Sequence, residues 1–574
     1  MRDARSGVVL ALVALLMVGL LIALPVTMTK VLVMVGIVAG LSIVSCLRSI
    51  DWVRLTVLAC FLVVLLLPMI VRTSGPPPDA GASRQVVIIT PHNEQIRTEF
   101  ADAFERWHLA NYDEPVEVVW NVPGGTSEIR RMLQAQATAA LKEGRPVGGD
   151  ADLVFGGGSY EHGELKKGPR PVTVEVDGET VTRHASITAP ANLEESELLE
   201  IYGQREIAGV PLWDVDHHWY GTALSAFGLI YNRDALEEIS VPEPTGWDAL
   251  VDPRLQTWVA LVNPNQSGSI TTAFETILER RGWDEGWAIL RRASANARDF
   301  SASSLKAPTD VSQGDAAIGV CIDFFGRFQS QAILDHGGGD RVAYVDPPGD
   351  TKLDPDPISL LAGAPDPELA KRFIRFVLMV QGQSLWQFDP AANSPDGLGP
   401  TTFALRRLPV RRELYARYSD RMMDRIDPYA DAREPEFPDR AMRSFIAPLF
   451  GAMSMDTHVQ LIAAWNAIVS HPSYPATPGL VTADMVDDPQ LKAMLEAFDA
   501  MPEVRGPDGE FIALGTPEGR AVVKAGWLRR NWSGKGLWPA DAEPGRVLRQ
   551  QFSDFFTSQY MDIAASVQES DHAE

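Results

Sequence analysis

The 574-residue chain is too long for one ordinary core and divides into two or three folding units. Hydrophobic residues make up 45 % and charged residues 22 %, which excludes a disordered chain, and the formal net charge of −24 excludes a nucleic-acid binder, whose phosphate-facing surface must be basic. Of the three cysteines, Cys46 and Cys60 sit in apolar N-terminal runs and Cys321 stands alone downstream, so no disulfide framework is available to the rest of the chain.

The first element in chain order is an anchor. Gly7 to Thr29 is an almost unbroken apolar stretch long enough to span a bilayer, Val31 to Leu47 is a second, and Leu55 to Val71 a third. A signal peptide has a single apolar core and a cleavage site, which three successive stretches do not resemble. Arg2 and Arg5 precede the first stretch, and Arg48 and Arg54 separate the second from the third, while Lys30 alone marks the other side. Positive-inside bias then places the N-terminus in the cytoplasm and everything after Arg72 outside the cytoplasmic (inner) membrane. Ile43-Val44-Ser45-Cys46 has the outline of a lipoprotein processing signal, but Cys46 follows two spans and precedes a third, which favours an ordinary embedded cysteine.

The Pro/Gly/Ser-rich stretch SGPPPDAGAS, Ser74 to Ser83, reads as a linker. Gln85 to Thr90 is then a continuous apolar run, as in a buried parallel strand, and Ile96, Phe100, Phe104 and Trp107 fall on one face of a following helix capped by Asn93. Val116 to Trp120 predicts a strand, Asn121 to Ser127 a loop leading into a helix with Ile129 and Leu133, and Asp152 to Phe155 a short strand ending in Gly156-Gly157-Gly158-Ser159. Val172 to Arg183 predicts a surface hairpin around Asp177-Gly178. A second series begins near Gly221, with one strand over Ala223 to Asn232, another over Trp258 to Val262, a helix from about Ile270, a strand over Ala316 to Ile322, a return through Ile358 to Leu361 and an amphipathic helix over Glu368 to Met379. Alternating strands and helices define an α/β class with parallel sheets. Beyond Gln383 the text becomes helix and loop, rich in Pro and charge.

Several of these segments together resemble the family-one extracellular solute-binding proteins of ABC importers. They are Val86 to Phe104, Tyr231-Asn232-Arg233-Asp234, Trp247 to Pro253, Pro264 to Ser269, Gly314 to Gly319, Pro347 to Thr351, and Ala370 to Val377 through Gly382-Gln383. The resemblance implies a two-lobed fold of the type II periplasmic-binding-protein kind, closing on ligand between the lobes. The predicted organisation is a three-span anchor over residues 1–73, a linker over 74–84, the two-lobed domain over 85–383, and a helical region over 384–574 packed partly on it. The partners implied are a small molecule or ion as ligand, and permease and ATPase subunits on other chains.

In open α/β sheets ligands collect at the carboxyl ends of the strands, so the post-strand loops carry the candidate ligand contacts. These are His92, Asn93 and Glu94; Gly125, Thr126 and Ser127; Gly158 and Ser159; Ser267, Gly268 and Ser269; and Asp323. Hydroxyls and free N–H groups at helix N-termini suit a phosphate or carboxylate, although plain capping is the alternative use of the same residues. The predicted solute is therefore small, polar and anionic, with Asp323 and Glu94 favouring a cation instead. The ferric-ion binders resembled here carry adjacent tyrosines near Asp323; Phe324 and Phe325 stand there instead and cannot ligate iron, so a ferric site of that type is disfavoured. His217-His218 point to opposite faces of a strand and do not share an ion. No Walker loop, zinc-type spacing or G-x-S-x-G elbow occurs. The expectation is a binding module without cofactor, metal or catalysis; the alternatives are a ferric-ion binder, an enzyme, and a ligand-sensing membrane scaffold.

Overall fold

The computed structural model describes residues 84–390, 396–439, 442–506, 508–528 and 544–571. The predicted three-span anchor, its orientation and Cys46 lie outside the described residues.

The first sheet grows from β1 (Arg84–Ile89), whose Val86, Ile88 and Ile89 are buried. The chain leaves it through α1 (Glu94–Tyr112), started by Asn93, whose side chain accepts from the Ile96 N–H at 3.1 Å. It returns as β2 (Val116–Asn121), crosses back in α2 (Thr126–Glu143), forms β3 (Leu153–Phe155) and leaves again in α3 (Ser159–Lys167). These strands are parallel, as helical crossovers require. The predicted hairpin is present as Val172–Val176 against Glu179–Arg183, with Asp177 and Gly178 at φ 52° and 84°.

The run Ala223 to Asn232, predicted as one strand, is two. Tyr220–Ser225 is β4 and pairs in the first sheet; Phe227–Asn232 is β5 and pairs in a second one. The crossing falls at Ala226. The second sheet continues with β6 (Val259–Val262), α4 (Gly268–Ala295), β7 (Ala297–Ser301), α5 (Lys306–Gln313), β8 (Ile318–Ile322), α6 (Asp323–Asp335) and β9 (Val342–Val345). The chain then passes back as β10 (Asp354–Leu361), antiparallel between β3 and β4, and α7 (Pro367–Leu378) covers it. Two segments thus cross between the sheets, and they are tied together. The Thr351 hydroxyl donates to the Phe227 carbonyl at 2.8 Å and accepts from the Phe227 N–H at 3.0 Å.

The first sheet has the order β11-β4-β10-β3-β1-β2, where β11 is Leu408–Pro409, and the second β7-β6-β8-β5-β9. Both place a parallel triad beside an antiparallel crossing strand, which puts the loops at the carboxyl ends of both triads on one cleft.

Residues 84–574 form a single compact unit. A boundary at Gln383 cuts through it, because β11 lies beyond that point and pairs with β4. Further along, α8 (His458–Val469), α9 (Pro489–Asp499), α10 (Pro517–Leu528) and α11 (Pro544–Asp571) follow. Arg292 of α4 pins two of them. Its guanidinium, fully buried, makes two hydrogen bonds to Asp499, at 2.6 and 2.9 Å, and lies 5.5 Å over the Trp465 ring and 5.4 Å over Phe498. The bidentate carboxylate and the two aromatic faces offset the cost of burying this charge. Among the described residues no helix is long and apolar enough to cross a membrane.

Candidate functional site

A cavity of about 370 Å³ opens between the two sheets, within the size range of small-molecule sites. Seven of the candidate residues line it: His92, Gly125, Thr126 and Gly158 from the first lobe, and Ser267, Gly268 and Ser269 from the second. The other five lie off the lining, each for a local reason. Asn93 spends its side chain on the α1 cap, and Glu94 is exposed on the first turn of that helix. Ser127 is buried inside α2. The Ser159 hydroxyl is taken up by Asp354 at 2.6 Å. Asp323 is fully buried behind Ile322 and Phe324, and neither carboxyl oxygen has a hydrogen-bond partner. Burial, then the neighbouring Asp346, pushes its carboxyl up to about 7 against the pull of Arg327 and Arg407. Phe324 and Phe325, ring centroids 4.1 Å apart, present an aromatic surface to the cavity. His217 and His218 go separate ways, Nδ1 of the first 3.2 Å from the Tyr220 hydroxyl and Nδ1 of the second 2.8 Å from that of Thr188.

The second-lobe wall is built of hydroxyls. The Ser267 side chain caps α4, accepting from the Ile270 N–H at 3.2 Å. Its oxygen also lies 3.0 Å from that of Ser269 and 2.6 Å from that of Ser304, which sits in the loop before α5. Three hydroxyls therefore share a corner of the cavity at the N-terminus of a long helix. Capping and cavity lining, posed as alternatives, are combined in Ser267.

The opposite wall comes from residues that sequence reasoning passed over. Asp354 and Asp356 stand two positions apart on β10, so their side chains emerge on one face. Asp356 is locked in a buried set. His92 Nε2 lies 2.8 Å from its Oδ2, Arg407 donates to the same oxygen, and the Gly157 N–H donates to Oδ1 at 2.6 Å. Arg407 also donates to the Ser225 hydroxyl at 2.6 Å and lies 4.2 Å over the Phe324 ring. Burial acts to raise the Asp356 carboxyl, but Arg407 and His92 prevail and hold it down at about 2. Burial lowers the His92 imidazole, only partly offset by Asp356. Behind them His162, with Nδ1 2.6 Å from the Ser359 hydroxyl, is driven down to about 4 by burial and holds the Gly156 turn through a 3.1 Å contact from Nε2 to its carbonyl.

Asp354 has no such cation at bonding distance. Its partners are the Ser159 hydroxyl and the Ser159 N–H at 3.3 Å, and burial pushes its carboxyl up to about 6. Glu161, in the first turn of α3, lines the cavity beside it. The lobes touch here. An added Cβ on Gly268 would lie 2.4 Å from the Thr126 hydroxyl and 2.8 Å from Glu161 Oε1, and one on Gly125 would lie 3.2 Å from the Gln266 carbonyl. Arg131 reaches across to the Asn265 carbonyl at 3.3 Å. Among the described residues no group of three His, Cys, Asp or Glu side chains is placed to hold a metal ion.

Residues 191–395 match the family model for a bacterial extracellular solute-binding protein. The chain is 25 % identical over 240 residues to an uncharacterised protein of Haemophilus influenzae, covering 40 % of this chain and 68 % of that one. It is 26 % identical over 163 residues to the phosphoglycerate transport regulatory protein PgtC of Salmonella typhimurium, covering 28 % of this chain and 39 % of PgtC. Among solved structures, it is similar to the periplasmic binding protein AfuA of Actinobacillus pleuropneumoniae with fructose-6-phosphate bound (16 % identity, 67 % of this chain and 97 % of that one, TM-score 0.43). It is also similar to a ferric binding protein of Campylobacter jejuni (15 % identity, 66 % and 99 %, TM-score 0.43). The matched segment begins before β4 and runs through the whole second lobe and both segments that cross between the sheets. Residues 191–395 are thus similar to a bacterial extracellular solute-binding protein, and they lie within a two-lobed α/β fold with its cavity between the two sheets.

Proposed function

We propose that this protein is the membrane-anchored, extracytoplasmic solute-binding component of an ABC-type uptake system, and that it captures a small hydroxylated anion by closing its lobes. The observation that carries the ligand class is the unlike pair of walls. The Ser267, Ser269 and Ser304 hydroxyls at the start of α4 suit an anionic group, while Asp354 and Glu161 opposite suit the hydroxyl donors of the same molecule. Arg407 does not supply the counter-charge, since Asp356 already neutralises it. The phosphoglycerate in the name of PgtC is a molecule of this class. Binding needs no chemistry: lobe closure about the hinge at Ala226 and Thr351 encloses the solute, and a permease with its ATPase on other chains receives it. A ferric site is disfavoured by the Phe324–Phe325 surface, which offers no phenolate. The anchor reading rests on the three apolar stretches between Gly7 and Val71 and on the placement of Arg2, Arg5, Arg48 and Arg54.

The reading is tested by calorimetric titration of the full chain in detergent with 3-phosphoglycerate, fructose 6-phosphate, inorganic phosphate, spermidine and ferric citrate. Saturable one-to-one binding of a hydroxylated phosphate, absent with spermidine and ferric citrate, is expected. Binding of spermidine or ferric citrate alone would overturn the ligand class. For the anchor, carbonate extraction should leave the protein in the membrane fraction, and external protease should remove the large domain.

A further inference from the structure

The matched family segment ends at residue 395, yet a side chain from well beyond it reaches the floor of the cleft. Arg443 lies in the short 3-10 turn Met442–Ser444 and is buried. Its Nη1 donates to the Thr272 hydroxyl at 2.8 Å and stands 3.3 Å from Glu275 Oε2. Its Nη2 donates to the Gly268 carbonyl at 3.0 Å and stands 3.6 Å from Glu161 Oε1. Thr272, Glu275 and Gly268 all belong to α4 of the second lobe, whereas Glu161 belongs to α3 of the first. One guanidinium thus spans the cleft next to the cavity.

We infer that Arg443 is a latch: the C-terminal region supplies the cation that ties Glu161 of the first lobe to α4 of the second and so sets the balance between open and closed lobes. The arrangement has the asymmetry a latch requires. Three of the five Arg443 contacts are to α4 and survive opening, because turn and helix stay together. The contacts to Glu161 and to the Tyr160 ring, 5.0 Å away on the same helix, cross the cleft and are lost. On opening, Glu161 returns to water, where a carboxylate is well solvated, and Arg443 keeps Glu275. Glu275 does not depend on Arg443 alone, since Lys352 Nζ stands 3.6 Å from it and 3.0 Å from Glu279. The planar, five-donor guanidinium is what allows one side chain to hold a hydroxyl, a carbonyl and two carboxylates together, which an ammonium cannot copy. Closure in this chain is therefore tuned by a region that the matched solute-binding segment does not include. The inference rests on reading the cleft as the solute site, but its test reads lobe distance and needs no ligand.

The experiment is a spin-label distance measurement on the full chain in detergent. Labels are placed on cysteines introduced at Glu143 and Glu238, one exposed position on each lobe, in a background with Cys46→Ser and Cys60→Ser; Cys321 is buried and does not label. Arg443→Ala should shift the population from the short to the long distance by about tenfold or more, the scale of a lost buried charge pair. Glu161→Gln should shift it in the same direction with α4 untouched, Arg443→Lys should lie between wild type and Arg443→Ala, and the Glu161→Gln, Arg443→Ala pair should add nothing to the larger single effect. An unchanged distance distribution in Glu161→Gln, or in a folded Arg443→Ala that merely melts early, would overturn the latch and leave Arg443 as a buried structural charge. Failure of all five titrants to bind, with the distance shift intact, would remove the solute reading and leave the latch standing.

Discussion

Asp354 and Asp356 are two residues apart on one face of one strand, both buried, and their carboxyls are driven in opposite directions, to about 6 and about 2. Burial is the largest single influence on each and acts upward on both. What separates them is company: Asp356 has Arg407 and His92 in contact, while Asp354 has a serine. At the Asp356 end both carboxyl oxygens are already taken by His92, Arg407 and the Gly157 N–H, and the carboxylate works as a wall. The end at Asp354 retains unspent acceptor capacity facing the space where a solute would sit. An ion pair of this sort marks architecture, and an uncompensated carboxyl beside a cavity marks a place for a ligand.

The difference should show most strongly in stability. Asp356→Asn strands a buried arginine, and urea unfolding should lose about 3–5 kcal/mol; an unchanged midpoint would mean that the wall is not held by this pair. Asp354→Asn should do the reverse. A carboxyl raised in the folded state binds its proton more tightly there than when unfolded, so its stabilising contribution is complete below the unfolded value of 3.8 and falls as pH rises through about 6. The variant should therefore be at least as stable as wild type at pH 7 and lose that part of the pH slope, read from melting temperatures between pH 4 and 7. For Asp356 the sign is opposite: its stabilisation is present above 3.8 and lost as pH falls toward about 2. The smallest effect separates two serines. Ser267→Ala removes a helix cap and should cost about 1 kcal/mol, whereas Ser269→Ala breaks no cap and should melt with wild type while weakening a hydroxylated phosphate by about tenfold, a charged hydrogen bond's worth. Equal melting of the two variants would contradict the assignment of the cap.

Much of the fold was legible from strand and helix alternation, because each parallel strand is a short apolar run and each crossover helix has a one-sided apolar face. The lobe crossing was not. Ala223 to Asn232 is buried on both faces throughout, so nothing in its pattern marks the change of sheet at Ala226. The glycine- and serine-rich loops of the cavity were legible through their position after strands. Asp354 and Asp356 were not, since Asp-Pro-Asp-Pro reads as a turn; an Asp at i and i+2 leading into an apolar run was the available signal. Arg407 and Arg443 had no local signal at all. Arg407 meets His92 across 315 positions of chain, and both arginines lie in charged text that reads as solvated surface until the tertiary structure buries them. The return of the chain beyond Gln383 to the first sheet as β11 had no local signal for the same reason.

On the proposed reading a hydroxylated anion is held between the serine corner and Asp354. The most direct measurement is mass spectrometry of small molecules released on denaturing the purified full chain, wild type beside Ser269→Ala, Asp354→Asn. One hydroxylated anion, near one per chain, is expected from the wild type and a severalfold lower yield from the folded variant. Release of the same molecule in equal amount from both, or of a cation from the wild type, would contradict it.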